Sequence, residues 1–159
     1  MSNATLAPTI AEQYCTFWVA GQYFGVSVNE VQEVLRHQPM TPVPRANEAV
    51  RGLINLRGQI VTAVDLRVRL GLPPRAEGEL PMNVIVHSRG EVVSLLVDDI
   101  GDVIDTAGLE VESVPSTMPR QLADVVQCVR PMPDAVLLVL DADTAVDVGA
   151  MGESPGGAA

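Results

Sequence analysis

Two cysteines, two histidines and the aspartates at 98, 99, 102 and 105 are the side chains of this sequence best suited to chemistry. Nucleophilic or acid–base catalysis needs such a group held against an orienting partner. Cys15 and Cys128 each sit among apolar residues of strand character, which reads as reduced thiols in a core rather than a nucleophile or a disulfide. His37 follows a short amphipathic segment and His87 lies beside Arg89-Gly90; both read as surface histidines, because neither has a cysteine or serine at a spacing that fixes a partner. No zinc spacing exists. Asp98, Asp99, Asp102 and Asp105 lack the alternating ligands, central glycine and closing glutamate of a calcium loop, and read as a solvated strand edge. No glycine triplet opens a helix, so no phosphate cradle is expected. These residues predict no catalytic set, no metal and no cofactor.

What remains is recognition. Arg57 stands beside Gly58, and a tight turn requires the glycine but not the arginine. Its guanidinium is therefore available to a partner's carboxylate, with a solvated loop arginine as the alternative. Trp18, the single tryptophan, falls on the strand face opposite Phe17. There it is either an interface residue or a residue covered by a neighbouring subdomain.

The elements that would position these groups are mostly strands. The chain has 159 residues, 47% of them hydrophobic and only 3% aromatic, so one domain of ordinary size must build its core from valine, leucine, isoleucine and alanine. The net charge is −10, and all ten basic residues are scattered arginines, which argues against a nucleic-acid surface. No apolar run approaches the roughly 20 residues of a spanning helix, and 1–12 has no signal-peptide character, so a cytoplasmic protein is expected. Residues 1–12 read as a flexible tail, 13–148 as the folded unit and 149–159, rich in Gly, Ala, Ser and Pro, as a disordered tail.

Along the chain, alternation over 14–19 and 24–28 predicts a hairpin turning at Gly21-Gln22. Asn29 is placed to cap a helix over 30–36 that presents Val31, Val34 and Leu35 on one side, Val34 and Leu35 toward the core. Pro39, Pro42 and Pro44 force an extended connection, and Asn47 can cap a single turn before Gly52. A second hairpin, 53–56 with 60–64, turns at Arg57-Gly58, after which Asp65 caps a helix over 66–70 that Gly71 ends. The polar stretch 73–81 reads as a loop and places a subdomain boundary at about 72–82. A hairpin of 84–86 with 92–97 turns at Arg89-Gly90, followed by a strand over 102–106, a loop over 113–119, a hairpin of 125–129 with 135–140, and a last short helix capped by Asp143. The halves share this order, which predicts two small β-barrels of equivalent build.

Three segments carry a resemblance to a known family: Phe24-Gly25-Val26-Ser27-Val28 followed by Val31-Gln32-Glu33-Val34; the run from Gly52 through Asn55, Leu56, Arg57, Gly58 and Asp65-Leu66-Arg67; and Leu95-Leu96-Val97-Asp98. In this order and spacing they resemble the CheW family over about 13–148. The resemblance implies a mainly β fold of two SH3-like five-stranded barrels with a few short helices around a shared core, with a groove between them. It implies a non-catalytic chemotaxis scaffold, cytoplasmic but recruited to membrane receptor arrays, that couples the cytoplasmic tip of a methyl-accepting chemoreceptor to the regulatory domain of a CheA-type histidine kinase. Carried over residue by residue, it implies receptor contacts at Val31, Glu33, Gly52, Arg57 and Val103 and kinase contacts at Val84, Val86 and Ser94. Val31 stays open between core and contact, and Glu33 between partner contact and a favourable place in a helix's early turns. Three features depart from the family pattern: Ser94 stands where glycine is common, Pro131-Met132-Pro133-Asp134 replaces a glycine-containing turn, and 116–124 matches poorly. Alternatives are an adaptor of a twitching-motility or related chemosensory pathway, and a ligand-binding barrel or enzyme using the groove.

Overall fold

Three dipeptides, Ala20-Gly21, Arg57-Gly58 and Arg89-Gly90, have positive φ at both residues in the computed structural model, which describes residues 13–148. Paired positive φ marks the type I′ turn, whose twist suits a two-residue β-hairpin. The turns join β1 (Gln13–Val19) to β2 (Gln22–Ser27), β4 (Val50–Leu56) to β5 (Gln59–Asp65), and β6 (Met82–Ser88) to β7 (Glu91–Val97). The first turn thus lies one residue earlier than Gly21-Gln22. Single strands β3 (Val31–Leu35) and β8 (Asp99–Asp105) follow the first and third hairpins, and β9 (Val126–Pro131) pairs with β10 (Val136–Leu140). Three short helices complete the described residues: α1 (Leu66–Arg69), α2 (Arg120–Ala123) and α3 (Ala142–Val146). The expected tails lie outside them.

The strands form two five-stranded sheets, ordered β8-β1-β2-β10-β9 and β3-β6-β7-β5-β4. Each contains one parallel pair, β2 with β10 and β5 with β7, and the rest of each ladder is antiparallel. Asp65 at the end of β5 and Asp141 just after β10 cap α1 and α3 with their carboxylates, so Asp141 rather than Asp143 holds the last helix. Strand exchange interlocks the sheets. The chain leaves the first sheet after β2 and enters the second at β3, then returns between β7 and β8. The stretch 72–81 connects α1 to β6 within the second sheet's own run of strands, so it is not the subdomain boundary expected there. Backbone hydrogen bonding leaves both sheets open rather than closed as barrels, with β8 and β9 at the edges of one and β3 and β4 at the edges of the other.

Burial follows the pleat. One face of each sheet meets a shared core that includes Phe17, Phe24, Val26, Leu138 and Leu140 from the first sheet and Val64, Val84, Val86, Leu95 and Val97 from the second. The opposite faces carry smaller cores, Tyr14, Leu137 and Val139 on the first sheet and Ile54, Leu56, Val61, Ala63, Ile85 and Leu96 on the second.

The helix expected over 30–36 is absent. A 3-10 turn, Val28–Glu30, capped by Ser27, whose hydroxyl accepts the Asn29 N–H, leads directly into β3. Spacing of Val31, Val34 and Leu35 fits either a helix or an irregular strand, and pairing with β6 decides for the strand. A register shift between Val31 and Glu33 redistributes the side chains. Val31 packs on the shared core and Leu35 on the second sheet's own core, but Val34 is 43% exposed instead of buried. His37, expected at the surface, is half-buried.

Candidate functional site

The rim of the second sheet is built from its two opposite edges. β3 carries Glu33 and the β4–β5 turn carries Arg57, and the Arg57 guanidinium donates to the Glu33 carboxylate across the open side of the sheet. Gln32 Nε2 also donates to Glu33, at 3.2 Å. The Gln32 bond and then the Arg57 bond hold the Glu33 carboxyl below the usual glutamate range. Asn55 Oδ1 accepts the Gly58 N–H at 2.9 Å and so fixes the tip that presents Arg57. Exposed apolar groups adjoin this pair in sequence, Val34 on β3 and Ile60, 61% exposed, just past the turn. Strand register turns Glu33 to the side of Ile85 and Val34 to the side of Val84, so the sheet edge offers charge on one side and apolar surface on the other.

Gly52 and Val31 support that rim from beneath. Thr41 and Leu53 exchange backbone hydrogen bonds of 2.9 and 2.8 Å, laying the segment after β3 along β4. A Cβ on the buried Gly52 would stand 2.6 Å from the Thr41 carbonyl oxygen and 3.2 Å from Met40 Cβ, so the close approach requires glycine. Val31 is half-buried against the shared core, opposite Val86. The residues read as one receptor surface therefore divide into two that present side chains, Glu33 and Arg57, and two that shape the backbone under them.

Val103 lies on the other sheet, on edge strand β8, where it is 62% exposed. Val84 and Val86 are wholly buried in the shared core on β6, an inner strand. Ser94 is also buried and donates from Oγ to Asn83 Oδ1 at 2.7 Å. Direct kinase contact by these three side chains is thus corrected: Val84 and Val86 face the shared core and Ser94 the opposite, also covered face of the sheet, so any effect on a partner must pass through packing. Trp18 is 39% exposed and lies against Tyr23, ring centroids 4.5 Å apart, on the outer surface of the β1–β2 hairpin, so the other sheet does not cover it. The four aspartates also separate. Asp99, Asp102 and Asp105 are exposed on β8, whereas Asp98 is turned inward.

Asp98 is the centre of a feature that sequence reasoning missed. Arg67 holds it bidentately, Nη2 at 2.6 Å and Nε at 3.1 Å, and Arg75 reaches it at 3.0 Å and Asp65 at 3.3 Å. The Ala20 N–H donates to Asp98 Oδ2 at 2.7 Å and the Asp98 N–H to the Trp18 carbonyl at 2.9 Å. A residue at the end of β7 thereby ties the second sheet to the first hairpin. Two further arginines are buried. Arg69 donates to the Thr144 and Ala145 carbonyls at the end of α3, and Arg130 lies over the Tyr14 ring at 5.8 Å. Their only sequence signal is charge within otherwise apolar elements. Burial pushes the Cys15 and Cys128 thiols up, away from thiolate reactivity, and both are free. Among the described residues no group of three or more His, Cys, Asp or Glu could hold a metal ion, and no helix is long and apolar enough to cross a membrane.

The profile of the CheW-like domain matches residues 13–148, the whole of the interlocked fold. The chain belongs to the CheW family. It is similar to the chemotaxis protein CheW of Bacillus subtilis (strain 168), 29% identical over 136 residues that cover 86% of this chain and 87% of that one. The probable chemotaxis protein CheW of Rhizobium etli is 31% identical over 110 residues, covering 67% and 71%. Among solved structures, the scaffolding protein TtCheW from Thermoanaerobacter tengcongensis has the same fold, with a TM-score of 0.77 at 24% identity over 87% of this chain and 94% of that chain. CheW membership assigns the coarse role, a chemotaxis adaptor. It also accounts for the paired sheets and for the three sequence segments that now lie on β2 and β3, on the β4–β5 hairpin with α1, and at the end of β7.

Proposed function

We propose that this chain is a non-catalytic coupling protein that joins the cytoplasmic tip of a chemoreceptor to the regulatory domain of a CheA-type histidine kinase, in the cytoplasm at membrane receptor arrays. The Glu33–Arg57 rim is the observation that carries the reading: two sheet edges hold a charge pair at the surface, and Val34 and Ile60 are exposed on the other side of the same edges, which together offer charged and apolar groups for protein contact. Glu33, Arg57 and Val103 touch the receptor, and Val31 and Gly52 hold the rim in shape. The second sheet meets the kinase through its surface, and Val84, Val86 and Ser94 set that surface from within. The interlocked sheets make the adaptor one rigid connector, so that small shifts of the receptor reach the kinase as changes of geometry.

Co-sedimentation of the full chain with a receptor cytoplasmic fragment and a kinase fragment tests the bridge. More of both partners should be recovered with all three present than in either pairwise mixture, and equal recovery would refute bridging. Arg57→Asn sharpens the receptor half of the test. Arg57 has a φ of 52° at a turn position that asparagine tolerates, so the hairpin keeps its shape while the guanidinium is lost. An unchanged melt with receptor recovery reduced about tenfold is expected, in line with loss of one charge-assisted contact. Undiminished recovery would take Arg57 out of the surface.

A further inference from the structure

The strand registers reveal a repeat that links the two sheet edges. Val31 pairs with Val86, Val34 with Val84 and Leu35 with Asn83, while Ile100 pairs with Phe17, Val103 with Cys15 and Ile104 with Tyr14. β1 and β6 are both seven residues long and both lead into a two-residue turn with positive φ at each residue, so counting back from the turns makes these pairs equivalent one by one. The aligned segments are Val28-Asn29-Glu30-Val31-Gln32-Glu33-Val34-Leu35 and Val97-Asp98-Asp99-Ile100-Gly101-Asp102-Val103-Ile104. Both ladders shift register between the first pair and the rest. Asp102 is therefore the counterpart of Glu33, and Val103 of Val34, and both valines are exposed.

The repeat breaks at the cation. β4 and β5 turn on Arg57-Gly58, which supplies the guanidinium that Glu33 accepts. β9 and β10, their counterparts in the first sheet, are joined through Met132-Pro133-Asp134-Ala135, with an acid and no arginine. Among the described residues the Asp102 carboxylate is in no ion pair. Asp99 and Asp105 are exposed on the same strand and deepen its negative potential. One rim thus carries its own counter-ion and the other presents the same acid and valine without one.

We infer that the β8 edge takes from the chemoreceptor the cation it lacks: an arginine or lysine of the receptor tip pairs with Asp102 on one side of the edge strand, and an apolar residue of the tip meets Val103 on the other. The inference rests on the receptor reading of Val103 above and names the partner chemistry at that place. It makes the receptor surface two rims of like design, one satisfied internally and one completed by the partner.

Binding of a purified chemoreceptor cytoplasmic fragment to the full chain, at about 50 mM and about 500 mM salt, tests it. Thr16 Oγ1 donates to the backbone carbonyl of Asp102 and not to its carboxylate, so substitution there leaves the sheet intact and the melt unchanged. Asp102→Asn should bind about fivefold more weakly at low salt with little difference at high salt. Asp102→Arg should bind about 30-fold more weakly, and it should recover binding to a fragment in which the responsible receptor arginine or lysine is replaced by glutamate. Binding of Asp102→Arg equal to that of the parent at both salts, with Arg57→Asn defective, would overturn the inference and leave the receptor reading standing. No binding by the parent chain would overturn both.

Discussion

At the scale of single residues, the charges that mark this sequence do two different jobs. Arg57 and Glu33 meet at the surface, where a partner can reach them. Arg67, Arg75, Asp65 and Asp98 meet inside, and they hold the carboxylate that the Ala20 N–H of the first hairpin also reaches. The sequence spreads both sets over the same segments, with Arg75 in the loop beyond them, and cannot separate them, because burial is decided by strand pairing remote from either set. Burial alone would raise the Asp98 carboxyl, but the bonds from Arg67, the Ala20 N–H and Arg75 outweigh it and hold the group below the ordinary aspartate value. A carboxyl whose pKa is lower folded than unfolded adds stability that is complete above the unfolded value, about 4, and is lost as pH falls through the folded one. Asp98→Asn should therefore cost about 2–4 kcal/mol at neutral pH, since it strips two largely buried guanidiniums of their shared acceptor. The gap between parent and variant should close as urea unfolding is repeated toward pH 2, and a gap of constant size would show that the charge of Asp98 is not what binds the sheets.

At the scale of elements, the turns decide what sequence can and cannot foresee. Gly52 lies where the chain after β3 folds back along β4, and the obstacle a side chain would meet there is backbone rather than a movable side chain. Gly52→Ala should part Thr41 from Leu53 and destabilise the protein by about 2–3 kcal/mol, as overpacking together with two lost backbone bonds implies. A lowered urea midpoint with faster amide exchange at Thr41 and Leu53 is the expected result, and a midpoint within about 0.5 kcal/mol of the parent would refute the close-approach argument. The hairpins at Arg57-Gly58 and Arg89-Gly90 are readable from a few adjacent residues, because turn chemistry and the flanking apolar runs are local. Asp65 as a helix cap is readable for the same reason. β3 is not: its apolar spacing fits a helix, and only its pairing with β6 selects the strand. α2 starts at Pro119 with no side-chain cap, so nothing local announces it. Val84, Val86 and Ser94 fall on strands as expected, yet both faces of these inner strands are covered, Val84 and Val86 by the shared core and Ser94 on the opposite side, which no local pattern reveals.

At the scale of the molecule, the exchange of strands makes the two sheets one object. Residues 13–71 supply β1 and β2 to the first sheet and β3, β4 and β5 to the second, and residues 82–148 supply the reciprocal sets. Neither half of the chain contains a complete sheet, and the shared core draws on both. A half alone would expose a row of unpaired strand groups and half a core, which leaves too little buried surface to offset its chain entropy. The connection across 72–81 lies outside both ladders, so cutting it removes no strand pairing. Arg75 is the one residue of the ion network that lies on that connection, and a cut after it keeps it with Asp65 on the first fragment and free to reach Asp98 on the second. Fragments divided at about residue 77 should therefore be unfolded separately by circular dichroism and two-dimensional NMR. Mixed in equal amounts, they should assemble into a single native-like species that unfolds in one transition and recovers receptor and kinase binding together. Independent folding of either fragment, or two separate unfolding transitions in the uncut chain, would mean that the sheets are autonomous. A signal entering at one rim would then have no rigid path to the other partner, and coupling would have to arise from tethering instead.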